Sequence, residues 1–192
     1  MVNRVVASGV DGDFNVQEGI DVLTIGGIRD YLSNIEVVKS LANKDGFKCR
    51  FIGKGHASQR IEQYCEEQKI SNVSFSGFYK KEEESNFIKT ATFMNIFYPR
   101  IITHDTAMSN RFYNSLIYKK PMIVTKGTTQ GDLVEKYKLG VAIDNCQNLT
   151  KELVEFVKVE DFCAYAARCN KLLGRFLQDQ KTFENAIKQF VS

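Results

Sequence analysis

The chain has 192 residues, 43% apolar and 26% charged, the balance of a soluble globular domain, and at this length roughly 70% of the unfolded surface can be buried without a disulfide or structural metal. Its net charge of +3 is too small and too scattered for a nucleic-acid-binding stripe, and no apolar run nears the roughly 18 residues of a membrane span. Cys49, Cys65, Cys146, Cys163 and Cys169 are odd in number, widely spaced and accompanied by only two histidines, which excludes a disulfide framework or zinc site and points to a reducing, cytoplasmic compartment.

From Asp21 onward short apolar runs alternate with amphipathic stretches, the pattern of an α/β fold with a doubly wound, Rossmann-like parallel sheet. Six strands are expected: Val22 to Ile25, Cys49 to Ile52, Val73 to Phe75, Phe93 to Tyr98, Met122 to Val124 and Val141 to Ile143. The intervening helices are Ile35 to Ala42, Ser58 to Gln68, Lys81 to Thr90, Ser109 to Tyr118 and Leu133 to Tyr137. Beyond the sixth strand, Leu149 to Val157 and Asp161 to Phe190 read as helix only, with Leu172, Leu173, Phe176 and Leu177 as a stripe that packs on the sheet.

Ligands of an open parallel sheet bind beyond the carboxyl ends of its strands, so the loops after each strand hold the candidates. After the first strand, Gly26 and Gly27 permit a tight turn and Arg29 could offer a fork of donors to a phosphate, or pair with Asp30 or another acid. After the second, Gly53-Lys54-Gly55-His56 lacks the third glycine of a dinucleotide fingerprint, which disfavours a nicotinamide enzyme. The third strand leads through Gly77 and Phe78 to Tyr79, where a base could stack. Lys81-Glu82-Glu83-Glu84 then reads as a solvated helix start.

The fourth loop, Pro99 to Arg111, is the best site candidate. Ser109 is an N-cap, so the amides of Asn110, Arg111 and Phe112 would form an anion cradle to which the Arg111 side chain adds charge. The plain alternative is a capped helix with Arg111 and His104 exposed to solvent. His104 beside Asp105 has no accompanying nucleophile, so no hydrolytic triad is proposed.

From Asn110 to Val124 the sequence resembles the helix-then-strand segment in the donor-binding C-terminal half of GT-B fold nucleotide-sugar glycosyltransferases of group 1, the family-4 type. Gly26 to Arg29, Phe51 to Gly55, Val73 to Gly77, Gly127 to Gly131 and Leu139 to Val141 resemble further landmarks of that family, in order, over about residues 20 to 158. The resemblance implies that Gly27 and Arg29 meet the donor diphosphate with Gly53 and Gly55 nearby, that the backbone at Tyr79 holds the base, that the Asn110 and Arg111 amides bind phosphate, and that Asn114 reaches the ribose. It implies no metal and no cofactor beyond the nucleoside-diphosphate sugar itself.

Two departures stand out. Where the family carries two glutamates separated by seven residues, one on the transferred sugar and one on the ribose, this chain has Thr106 and Asn114. Arg29 and Thr106 thus occupy the catalytic positions. The lysine that follows the family's first arginine is also absent, Ser33 and Asn34 standing near its place. Residues 6 to 11 resemble the connection between the two halves of such enzymes. Residues 1–19 are accordingly read as connection or start and 20–192 as the donor domain. An N-terminal acceptor domain or partner chain is implied, with peripheral membrane association through that half. Capsular or other surface polysaccharide synthesis is the expected role. The rivals are a non-catalytic interaction module with a degenerate site and one half of a nucleotide-sugar epimerase.

Overall fold

The computed structural model describes residue 14 and residues 19–191, so the expected connection over residues 1–19 lies outside the described residues except for Phe14 and Gly19. Six strands form one parallel sheet in the order β3-β2-β1-β4-β5-β6: β1 (Ile20–Ile25), β2 (Phe47–Ile52), β3 (Val73–Ser76), β4 (Phe93–Ile96), β5 (Met122–Thr125) and β6 (Gly140–Ile143). Alternation along β1 builds both faces. Ile20 and Val22 enter a core with α1 (Leu32–Leu41), α2 (Ser58–Glu67) and α7 (Leu149–Val159), whose Val37, Leu41, Ile61 and Leu153 are buried. Leu23 and Ile25 face the other core, built with α3 (Glu84–Thr90), α5 (Asn110–Tyr118), α6 (Thr129–Tyr137) and α8 (Phe162–Val191).

Two of the boundary shifts from the sequence expectation have a local polar cause. β4 stops at Ile96 rather than Tyr98 because Asn95 Oδ1 accepts from Phe97 N–H at 3.1 Å and Thr125 Oγ1 from Tyr98 N–H at 2.9 Å, replacing ladder bonds with side-chain bonds. α6 begins four residues before Leu133 because Thr128 Oγ1 caps the Gly131 amide at 3.0 Å. A short helix, α4 (Ile102–Thr106), was not expected at all. In α8, Leu172 and Leu173 are buried as expected and Phe176 and Leu177 are half-buried, but residues 181–190 are all exposed, Phe183, Ile187 and Phe190 among them. No helix of the described residues is long and apolar enough to cross a membrane.

The connection from β3 to β4 passes over β2 and β1, so β4 lies beside β1 and the loops leaving these two strands diverge. That divergence opens a crevice at the carboxyl edge, the place where this topology binds ligands.

Burial makes the stability pH-dependent in a direction that can be worked out. Desolvation pushes the thiols of Cys65 and Cys169 up to about 11 and that of Cys146 up to about 12, and raises Cys49 as well. As pH rises past about 9 the unfolded chain loses these protons before the folded one, so each thiol lowers stability, by at most about 1.4 kcal/mol per pH unit. Lys120 acts the opposite way. Its ammonium, desolvated and donating to Lys89 O at 2.7 Å, is pushed down to about 8, which adds stability between there and about 10.5. Burial also lowers the ammonium of Lys119 and raises the phenols of Tyr79 and Tyr165, so the buried groups that cost stability still outnumber those that add it, and urea midpoints are expected to fall above about pH 9. A midpoint that stayed level to pH 11 would contradict this burial.

Candidate functional site

The residues after β1 form a turn held in place by its neighbours. Gly26 N–H donates to Ile52 O at 2.8 Å, Ile28 N–H to Lys54 O at 3.3 Å, and Ala57 N–H to Ile28 O at 3.2 Å, so the first two loops are laced together through their backbones. This lacing accounts for Gly53 and Gly55. A Cβ on Gly53, whose φ is +119°, would overlap Gly26 O, and a Cβ on Gly55 would overlap Ile28 O. Both glycines were expected at the ligand. The close approach of the two loops is by itself enough to require glycine at both positions.

Arg29 projects from this turn, exposed, with no hydrogen bond or ion pair among the described residues. Asp30, its possible partner by sequence, is engaged elsewhere: Oδ1 accepts from Ser33 N–H at 2.7 Å at the start of α1. Beneath the turn, Asn34 Nδ2 donates to Asp30 O, and Asn95 Nδ2 bridges Thr24 Oγ1 at 2.9 Å and Asn34 Oδ1 at 3.1 Å. This buried amide network fixes β1, β4 and the first turn of α1 relative to one another.

At α5 the expected N-cap is present, with Ser109 Oγ accepting from Phe112 N–H at 3.2 Å. Ser109 itself donates to Gln130 Oε1 from both its amide and its hydroxyl, anchoring the helix start to α6. The amides of Asn110 and Arg111 carry no partner among the described residues, which leaves the donors that an anion would use.

The Arg111 side chain does not project into solvent. It is 8% exposed and turned inward, where Nε donates to Ile25 O at 2.5 Å, Nη2 to Gly27 O at 2.9 Å and Nη1 to Asn95 O at 3.4 Å. The guanidinium thus ties together the ends of β1 and β4 at the crevice, over the Tyr98 ring at 5.7 Å. No carboxylate pairs with it among the described residues. Tyr79 lies close enough to feel this charge, although burial is the larger effect and raises its phenol, and its ring meets Phe87 of α3 edge-on at 6.0 Å.

The remaining two expected residues sit apart from this cluster in their contacts. Thr106 is exposed at the end of α4, its hydroxyl donating to Ile102 O at 3.1 Å. Asn114, one turn beyond Asn110 on α5, donates from Nδ2 to Glu84 Oε1 at 2.9 Å. Glu84 is the residue that sequence reasoning missed. Lys81-Glu82-Glu83-Glu84 reads as a solvated run, yet Glu84 is only 9% exposed. The available signal was spacing, since Glu84 shares a helical face with Phe87 and Ile88.

No protein-family model matches the sequence, and no curated protein matches it. Solved structures do. Over 98% of this chain and 38% of the other, it superposes at a TM-score of 0.71 and 13% identity on a variant of TarM from S. aureus, crystallised with Fondaparinux, alpha-GlcNAc-glycerol and UDP. HepE from Anabaena, in complex with UDP and glucose, gives 0.68 at 12% identity over 90% of this chain and 49% of its own. The C-terminal domain of the group 1 glycosyl transferase LpcC from Francisella tularensis gives 0.60 at 14% identity over 86% of this chain and 91% of its own. The chain therefore spans less than half the length of TarM and HepE and nearly all of a separately solved C-terminal domain. At these identities the likeness establishes the fold, that of the C-terminal half of a GT-B glycosyltransferase.

Proposed function

We propose that this chain is the donor-binding half of a glycosyltransferase that moves a sugar from a nucleoside diphosphate to an acceptor hydroxyl, the acceptor being held by a second domain or partner chain. The observation that carries the reading is Arg111: a buried guanidinium at the β1–β4 crevice, bonded to three carbonyls and matched by no acid among the described residues. A buried cation without a counter-charge is costly, and an incoming anion relieves that cost. The unpartnered guanidinium of Arg29 and the free amides at the start of α5 belong to the same edge. UDP in the TarM and HepE structures supports a nucleoside diphosphate as that anion.

In the reaction a bond forms from the acceptor oxygen to the anomeric carbon as the anomeric C–O bond to the diphosphate breaks, charge develops on the departing phosphate oxygen, and the proton of the acceptor hydroxyl leaves to that phosphate or to water. Fixed positive groups stabilise that charge without reorganising, which is the role of Arg29, Arg111 and the helix amides. Metal and cofactor are not required by this scheme, so UDP affinity is expected to be unchanged by EDTA. Thr106 stands where the resembling family carries the glutamate that contacts the transferred sugar. A role in capsular or other surface polysaccharide synthesis completes the proposal, on the family resemblance.

Titration of the chain with UDP and GDP tests it. Saturable binding of one of them is expected, and Arg29→Ala should weaken it at least tenfold, about 1.4 kcal/mol, as loss of a charge-assisted contact. The interaction-module reading is favoured by Thr106, whose hydroxyl is occupied by its own helix. It gives no binding of either nucleotide, and an epimerase would turn over the donor sugar without acceptor.

A further inference from the structure

Glu84 takes no part in the chemistry proposed above and is expensive to keep buried. On α3 it lies on the inward face with Phe87 and Ile88, a position that helical periodicity assigns to an apolar side chain. A carboxylate there loses most of its hydration, and its partners return little of that loss: one neutral amide, from Asn114, and one ammonium, from Lys81, whose side chain is 76% exposed. An apolar residue of similar volume would serve the fold better, so the charge is retained for something other than stability.

Its location suggests what that is. Asn114 fixes one oxygen of Glu84 from α5, three residues past Arg111 and four past Asn110, on the same helix that offers its amides to an anion. That offset is about 5 Å along the helix, the span from a nucleotide's phosphate to the hydroxyls of its ribose. Tyr79 belongs to the same neighbourhood, its ring meeting Phe87 of α3 edge-on and its phenol feeling the charge of Arg111. An ionised carboxylate has about four acceptor sites. Asn114 and Lys81 occupy two, which leaves two for a pair of hydroxyl donors.

We propose that Glu84, oriented by the Asn114 amide, accepts hydrogen bonds from the two vicinal ribose hydroxyls of the bound nucleotide. The carboxylate that the family resemblance places on α5 is thus supplied from α3, with the α5 residue reduced to an amide that aims it. This assignment rests on the nucleotide-site reading above and adds a prediction of its own, that the chain selects ribonucleotides through Glu84.

The experiment is calorimetric titration of the full chain, wild type, Glu84→Gln and Glu84→Leu, with UDP and GDP and their 2′,3′-dideoxy counterparts, together with thermal melts. Wild type should prefer the ribonucleotide by at least about tenfold, two charge-assisted bonds being at stake. Glu84→Gln should lose most of that preference by weakening the ribonucleotide alone, and Glu84→Leu should melt no lower than wild type. Preference retained in Glu84→Gln, equal weakening of both forms, or a lower melt for Glu84→Leu each overturns the assignment. If wild type binds ribo and dideoxy forms alike, Glu84 fails while the nucleotide site stands. If it binds none of the four, the site itself fails and takes Glu84 with it.

Discussion

Gly53→Ala is expected to lower the unfolding free energy by at least about 3 kcal/mol, and Gly26→Ala by no more than about 2 kcal/mol, in matched urea titrations. Both glycines have positive φ, +119° and +97°, so backbone strain enters both variants. The surroundings differ. A methyl on Gly26 meets nothing within 4 Å, whereas one on Gly53 overlaps the Gly26 carbonyl, which is backbone and cannot swing aside. The loops could separate only by giving up the bonds from Gly26 to Ile52 and from Ile28 to Lys54. Equal losses in the two variants would mean that conformational strain alone sets the cost and that the loops are not interlocked.

Arg111→Met should cost about 3 kcal/mol of stability and abolish nucleotide binding. Two effects oppose each other in this variant. Removing a buried, acid-free cation relieves desolvation, but it orphans the buried carbonyls of Ile25 and Asn95, each worth about 1–3 kcal/mol when left unsatisfied, while exposed Gly27 can turn its carbonyl to water. Two buried acceptors, together with the packing of the guanidinium on Tyr98, outweigh one cation, so the loss dominates. Arg111→Lys keeps the charge yet cannot fork to three carbonyls, and is expected to recover less than half of the stability. Binding gives an independent readout: UDP at 100 times its dissociation constant should stabilise wild type by about 2.7 kcal/mol and Arg111→Met not at all. An Arg111→Met chain as stable as wild type would show that the carbonyl ties contribute nothing net.

The sheet was legible because its strands are short apolar runs between glycine-bearing turns, and Val73 or Met122 could be placed by inspection. The N-cap Ser109 was legible too, since capping is local chemistry. What could not be read depends on partners distant in sequence. Arg111 after an N-cap looks like a surface cation, and its burial follows only from carbonyls contributed by Ile25 and Asn95, on two other strands. Gly53 and Gly55 announced a tight loop but not that another loop's backbone fills the space a side chain would need. Glu84 was hidden by its neighbours, because a run of four charges reads as solvent-facing even when its last member turns inward. α4 escaped because five residues with two threonines and an isoleucine carry almost no helical signal.

Three carbonyl bonds hold the Arg111 guanidinium in one orientation, so on the proposed reading the seat for a diphosphate is shaped by the chain's own backbone. A group held in this way loses little further freedom when an anion binds. Capture becomes a question of how often a charged molecule meets the crevice, a rate that field steering raises and added salt lowers. Different sugars on the same nucleotide would enter at similar speed and be distinguished by how long they stay.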